Sequence, residues 1–151
     1  MKKVVFLSLI LLVGSGVIHA QEIAPPIPIP TVPNCETIDV DPAVLIGGNV
    51  TISLGGLDFY QSYVNQTKDS HLLTIEGEQM LGDNITLEGC FVDESSFVLT
   101  GQIGRMDVMF VGVGVEPEMS TPTFGGLWYG WSHGYQEDLP PDEKGYFFQL
   151  F

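Results

Sequence analysis

Positive charge is what this chain has least of. Five lysines and arginines stand against nineteen aspartates and glutamates, a formal net charge of −14. So negative a surface repels phosphate backbones and anionic lipid headgroups, which excludes nucleic acid as a partner. Cations, basic proteins and cationic polymers are favoured instead, although negative charge also serves simply to keep an exported protein soluble. Cysteine is nearly as scarce, with only Cys35 and Cys90 present. They do not form a Cys-x-x-Cys pair, so a redox role lacks its basic geometry. No sustained helical stripe of apolar residues occurs, which excludes a helical bundle. Gly-x-Ser-x-Gly elbows, His-Glu-x-x-His helices and glycine-rich phosphate loops are likewise missing. No cofactor is implied.

Long apolar runs are confined to the start of the chain. Lys2 and Lys3 precede an almost wholly apolar stretch at residues 4–13, and a small residue, Ala20, follows. That three-part order predicts an export signal over residues 1–20, cut before Gln21. The run is too short to cross roughly 30 Å of hydrocarbon as a stable helix. The cut would leave Lys68, Arg105 and Lys144 as the remaining basic side chains, and would discard His19. A secreted location follows as an expectation. In an oxidising compartment Cys35 and Cys90 are expected to bridge, closing a long loop; the alternative is that each pairs with another chain or that one stays free.

Residues 21–42 are expected to form a proline-rich arm tethered through Cys35. Pro25, Pro26, Pro28 and Pro30 favour an extended polyproline conformation, a spacer or a strap whose isoleucines can be buried. Residues 43–151 read as one β domain. Val50, Ile52 and Leu54 alternate with Asn49, Thr51 and Ser53, and comparable blocks occur at 71–76, 84–92 and 97–99. Simple alternation turns Cys90 outward with Glu88; a bulge at Gly89 would return it to the core side. Residues 107–115 are apolar on both faces, with Gly112 and Gly114 leaving room for a neighbouring ring. Aromatic blocks at 126–131 and 145–151 complete the pattern, while a short helix over residues 57–63 is an ambiguous option. The fold class predicted is all-β, an antiparallel sandwich or small closed barrel of six to eight strands. A membrane barrel needs strands of roughly ten residues with an outward apolar band. Apolar blocks of only five or six residues fit that poorly, so no stable membrane insertion is expected.

Three of the four asparagines after residue 20 lie in acceptor sequences for N-linked glycans: Asn49-Val-Thr, Asn65-Gln-Thr and Asn84-Ile-Thr. Asparagine before a β-branched pair is also a common strand entry, and use of the acceptors needs a host with the machinery. Trp128, Tyr129, Trp131 and His133 form the densest aromatic group, a candidate ligand-binding cluster. Alternation directs at least one tryptophan into the core. The nearby acids Glu137, Asp138, Asp142 and Glu143 lack calcium-loop spacing and read as a solvated loop, so no metal site is predicted. The pairs Asp93/Glu94 and Glu116/Glu118 are the carboxylates an acid–base enzyme would use, but such pairs are expected in a chain this acidic. The reading that results is a secreted acidic β domain acting by extracellular binding, adhesion or assembly. Its partner would be an extracellular protein, a carbohydrate or a second copy. A small secreted hydrolase with a carboxylate-based site is the alternative.

Overall fold

Period-two alternation runs the length of the domain, and in the computed structural model each alternating block is a strand. The structure describes residues 29–55, 58–66, 70–79, 82–116, 118 and 121–150. The export signal and Pro25, Pro26 and Pro28 lie outside the described residues. Eight strands follow one another: β1 (Gly48–Ser53), β2 (Phe59–Gln66), β3 (Leu72–Glu78), β4 (Asn84–Phe91), β5 (Ser96–Ile103), β6 (Met106–Val115), β7 (Thr123–Trp131) and β8 (Glu143–Leu150). Each pairs antiparallel with the next, and β1 pairs with β8 through Thr51↔Leu150, Ile52↔Gln149 and Ser53↔Phe148. The sheet is therefore a closed up-and-down barrel, the second of the two architectures expected. Where a helix over 57–63 was an option, β2 instead places Tyr60, Ser62 and Val64 inside and Gln61, Tyr63 and Asn65 outside. Leu57 lies outside the described residues.

Eight strands enclose a bore just wide enough for side chains to fill. Phe91, Phe97, Phe110 and Phe147 are fully buried in it, and the Phe110 and Phe147 ring centroids lie 4.4 Å apart. Burying each such ring is worth about 1.5–3 kcal/mol relative to leaving it in water. Glycine makes the space for these rings. A Cβ at Gly112 would stand 2.7 Å from Phe147 Cζ and 2.8 Å from Phe97 Cζ. A Cβ at Gly126 would stand 2.5 Å from the Gly112 Cα on the paired strand.

The two ends of the barrel differ. At one end lie the β2–β3, β4–β5 and β6–β7 connections, and the segment leading into β1 folds across it as a plug. Val44 and Ile46 join the interior cluster with Val40 beside them. Ala43 N donates to Glu94 O at 2.6 Å, and Ile46 N donates to Gln66 Oε1 at 2.9 Å. The Cys35–Cys90 disulfide anchors this segment to β4, with Cα atoms 5.8 Å apart.

No bulge brings Cys90 to the interior. The register is unbroken through Leu72↔Cys90, Leu73↔Gly89 and Cys90↔Val98, so Cys90 keeps the outward direction that alternation gives it. The bridge lies on the outer wall because Cys35 approaches from outside, its carbonyl 2.8 Å from His71 Nε2. A second, smaller cluster also lies outside: Val98, Met109, Tyr129 and Trp131, with Ile29 packed against it.

Candidate functional site

The opposite end carries no plug among the described residues. Here the β1–β2, β3–β4, β5–β6 and β7–β8 connections surround a cavity of about 490 Å³. Its apolar surface comes from Trp128, Tyr60, Met106, Ile103 and Leu54. Its rim carries Asp58, Asp83, Glu143 and Arg105, with Gln79 and Ser132 between them. The mouth of a barrel is a common place for a small-molecule site, and here polar and apolar groups line it in similar measure.

Trp128 reaches the mouth because β7 alternates Phe124, Gly126, Trp128 and Gly130 inward, and because the strand opposite offers no side chain. Trp128 pairs with Gly145, where a Cβ would stand 2.8 Å from the indole Nε1. Gly130 does the same for Met106, whose Sδ would be 2.6 Å from a Cβ there. Trp128 is 9 % exposed, and its Nε1 has no hydrogen-bond partner among the described residues.

Tyr60, 5 % exposed, is the second aromatic wall. Its hydroxyl pKa is raised above the ordinary value, first by burial and then by the charges of Asp58 and Asp83. Both carboxylates thus stand within electrostatic reach of the cavity wall. Gln79 organises this side: its Nε2 donates to Asp58 Oδ1 at 3.3 Å and its backbone N to Asp83 O at 3.3 Å. The β5–β6 connection is the two-residue turn Gly104-Arg105, with Gly104 at φ +60°. The Asp83 carboxylate packs onto that glycine, leaving 2.5–2.7 Å to a Cβ, and Arg105 follows directly.

The four residues read as one aromatic cluster are divided by the barrel wall. Trp128 is inside, at the mouth. Tyr129 and Trp131 point outward into the small external cluster, and His133 is exposed in the loop that follows β7. Trp131 is covered by that loop: its Nε1 donates to Leu139 O at 3.1 Å, and Tyr135 meets its ring edge-on at 4.9 Å. Tyr60, Asp58, Asp83 and Met106 escaped the reading of the sequence; Arg105 figured there only as a basic side chain and Glu143 only as part of a solvated acidic loop. They come from three connections and from the ends of β2, β6 and β8, and only the strand order shows that these share one end of the barrel.

The remaining candidates lie elsewhere. Asn49, Asn65 and Asn84 are all exposed and outward on β1, β2 and β4. Asn49 and Asn84 border a shallow polar groove of about 1030 Å³ along the outer face of those strands, together with Gln61, Tyr63 and Glu76. The carboxylate pairs sit at the plugged end. Asp93 caps the β4–β5 turn, accepting from Ser95 N at 2.9 Å and Ser96 N at 2.6 Å, and those hydrogen bonds lower its pKa. Glu116 and Glu118 are exposed beyond β6. Among the described residues no three His, Cys, Asp or Glu side chains stand close enough to hold a metal ion. Set against family models, curated proteins and solved structures, the chain matches none of them.

Proposed function

We propose that this chain is an exported binding protein that holds a small ligand in the open mouth of its barrel. One observation carries the reading: the barrel is stopped at one end by Val44 and Ile46, while among the described residues the other end carries a cavity lined by Trp128 and Tyr60. A structural shell would gain nothing from an aromatic-walled opening rimmed by charge. Export is supported by the leader-like residues 1–20 and by the disulfide, which persists in oxidising compartments. Use of the three glycan acceptors is part of the same reading and is supported by their outward exposure. No helix among the described residues is long and apolar enough to cross a membrane. Outward Glu76, Glu78 and Glu88 on β3 and β4 further favour water over hydrocarbon around the wall. The pairs Asp93/Glu94 and Glu116/Glu118, the carboxylates singled out for a hydrolase, lie away from the mouth.

The chain has two tryptophans, one on each side of the wall, so two indole N–H resonances report the two surfaces separately. In a small-molecule screen on ¹⁵N-labelled protein, hits should move the Trp128 signal and leave that of Trp131 in place. Leu54→Trp, which fills the mouth from its rim, should abolish those shifts. Hits that move only Trp131, or that survive Leu54→Trp, would sink the proposal. On protein from its native host, intact mass should show loss of residues 1–20, two fewer hydrogens for the bridge, and enzymatically removable glycan.

A further inference from the structure

We infer that the ligand is an organic cation with an apolar body, an aryl- or alkylammonium, held with its body against Trp128 and Tyr60 and its charge among Asp58, Asp83 and Glu143. The inference rests on the mouth being the binding site. It takes its direction from the unequal chemistry of wall and rim.

The wall is aromatic and aliphatic. Trp128 and Tyr60 line it with aromatic rings, a group that attracts cations, tryptophan most strongly, and Met106 adds a polarisable thioether. The charged rim is one-sided. Three carboxylates, Asp58 and Asp83 from two connections and Glu143 from the start of β8, stand against the guanidinium of Arg105. These carboxylates are spread around an opening rather than gathered. No metal-holding trio forms among the described residues, so the arrangement suits a charge carried on a bulky group. Asp58 and Asp83 are close enough to the aromatic wall to raise the Tyr60 hydroxyl pKa, so a cation resting on that wall would lie in the same field. The whole chain strengthens the effect, because nineteen carboxylates against five basic groups draw cations toward a low-dielectric cleft.

Other ligand classes fit less well. An anion would meet three like charges and one counter-charge. A sugar needs several converging neutral donors and acceptors, and among the described residues Gln79 and Ser132 are the only neutral polar side chains lining the cavity besides Tyr60 and the Trp128 indole. A neutral apolar molecule would use the wall and ignore the rim, and that is the rival the experiment must separate.

Three probes of matched shape do so: phenethylammonium, 2-phenylethanol and 3-phenylpropionate, titrated into the full folded protein by calorimetry and followed through the two indole signals. The amine is expected to bind at least tenfold more tightly than the alcohol, with the carboxylate undetectable and the advantage shrinking as salt is raised. Asp58→Asn with Asp83→Asn should cost about tenfold for the amine and little for the alcohol. Arg105→Gln should tighten the amine several-fold by removing the opposing charge. An unmoved Trp131 resonance certifies that each variant is folded. Alcohol binding as tight as amine binding, with Trp128 shifted, overturns the cation while the mouth stands as the site. Weakened amine binding in Arg105→Gln also overturns it, because the guanidinium would then not be opposing a bound positive charge. Failure of all three probes to move Trp128 overturns the inference, and the screen with Leu54→Trp then decides separately whether the mouth binds anything.

Discussion

Trp128 and Gly145 face each other across β7 and β8 so closely that a Cβ at 145 would lie 2.8 Å from the indole nitrogen. The glycine is therefore the partner that lets the largest side chain of the mouth lie flat against the wall. Gly145→Ala should force the ring out of place, at a cost of about 1–3 kcal/mol for overpacking. Denaturant melts give the cost, and a displaced Trp128 indole signal with Trp131 unmoved gives its location. An unchanged Trp128 resonance would contradict the geometry.

Phe147 and Tyr146 are neighbours on β8 and opposites in environment, at 1 % and 74 % exposure. Phe147→Ala should cost about 3–5 kcal/mol, since Phe97, Phe110 and Phe124 cannot all close the gap. Tyr146→Ala should stay within about 0.5 kcal/mol of the parent. Equal losses at the two positions would mean that the register of β8 is displaced by one residue.

The disulfide holds the plug. Cys35 and Cys90 are 55 residues apart, and releasing a loop of that size should cost about 4 kcal/mol in the chain-entropy account. Cys35→Ser with Cys90→Ser should show this loss in urea. Amides of Ala43 and Ile46, bonded to Glu94 and Gln66, should become the first core-end sites to exchange. Retained protection at both amides would show that Val44 and Ile46 hold the plug unaided.

Asp93 supplies a pH dependence with a definite sign. Its folded pKa lies below the ordinary 3.8 because Ser95 and Ser96 donate backbone hydrogen bonds to the carboxylate. Its contribution is thus fully present above the unfolded value and disappears as pH falls through the lower folded one. The stability gap between the parent and Asp93→Ala should be constant from neutral pH down to about 4 and shrink below it. A gap that widened in acid would reverse the assignment.

The strands were legible because each block carries its own alternation, and β6 shows it best: Val108 and Phe110 inside, Met109 and Val111 outside. β2 was harder to read because it puts a serine inside. Ser62 is buried opposite Gly77, whose missing side chain makes the room, and nothing local in residues 59–66 announces a partner on another strand. Closure was less legible still. It depends on three register pairs between β1 and β8, nearly the whole domain apart, and only a closed strand order sorts the connections into two ends. This is why Trp128 could be singled out from sequence while Tyr60, Asp83 and Arg105, which share its cavity, could not.

On the proposed binding function, the plug at Val44 and Ile46 would also govern traffic. A vessel stoppered at its base has no through-flow, so an occupant must back out past the lip by which it came. Residence time would then be set by the few groups at that lip. Changes among the deep phenylalanines would alter how long the vessel lasts, with little effect on how long it stays full.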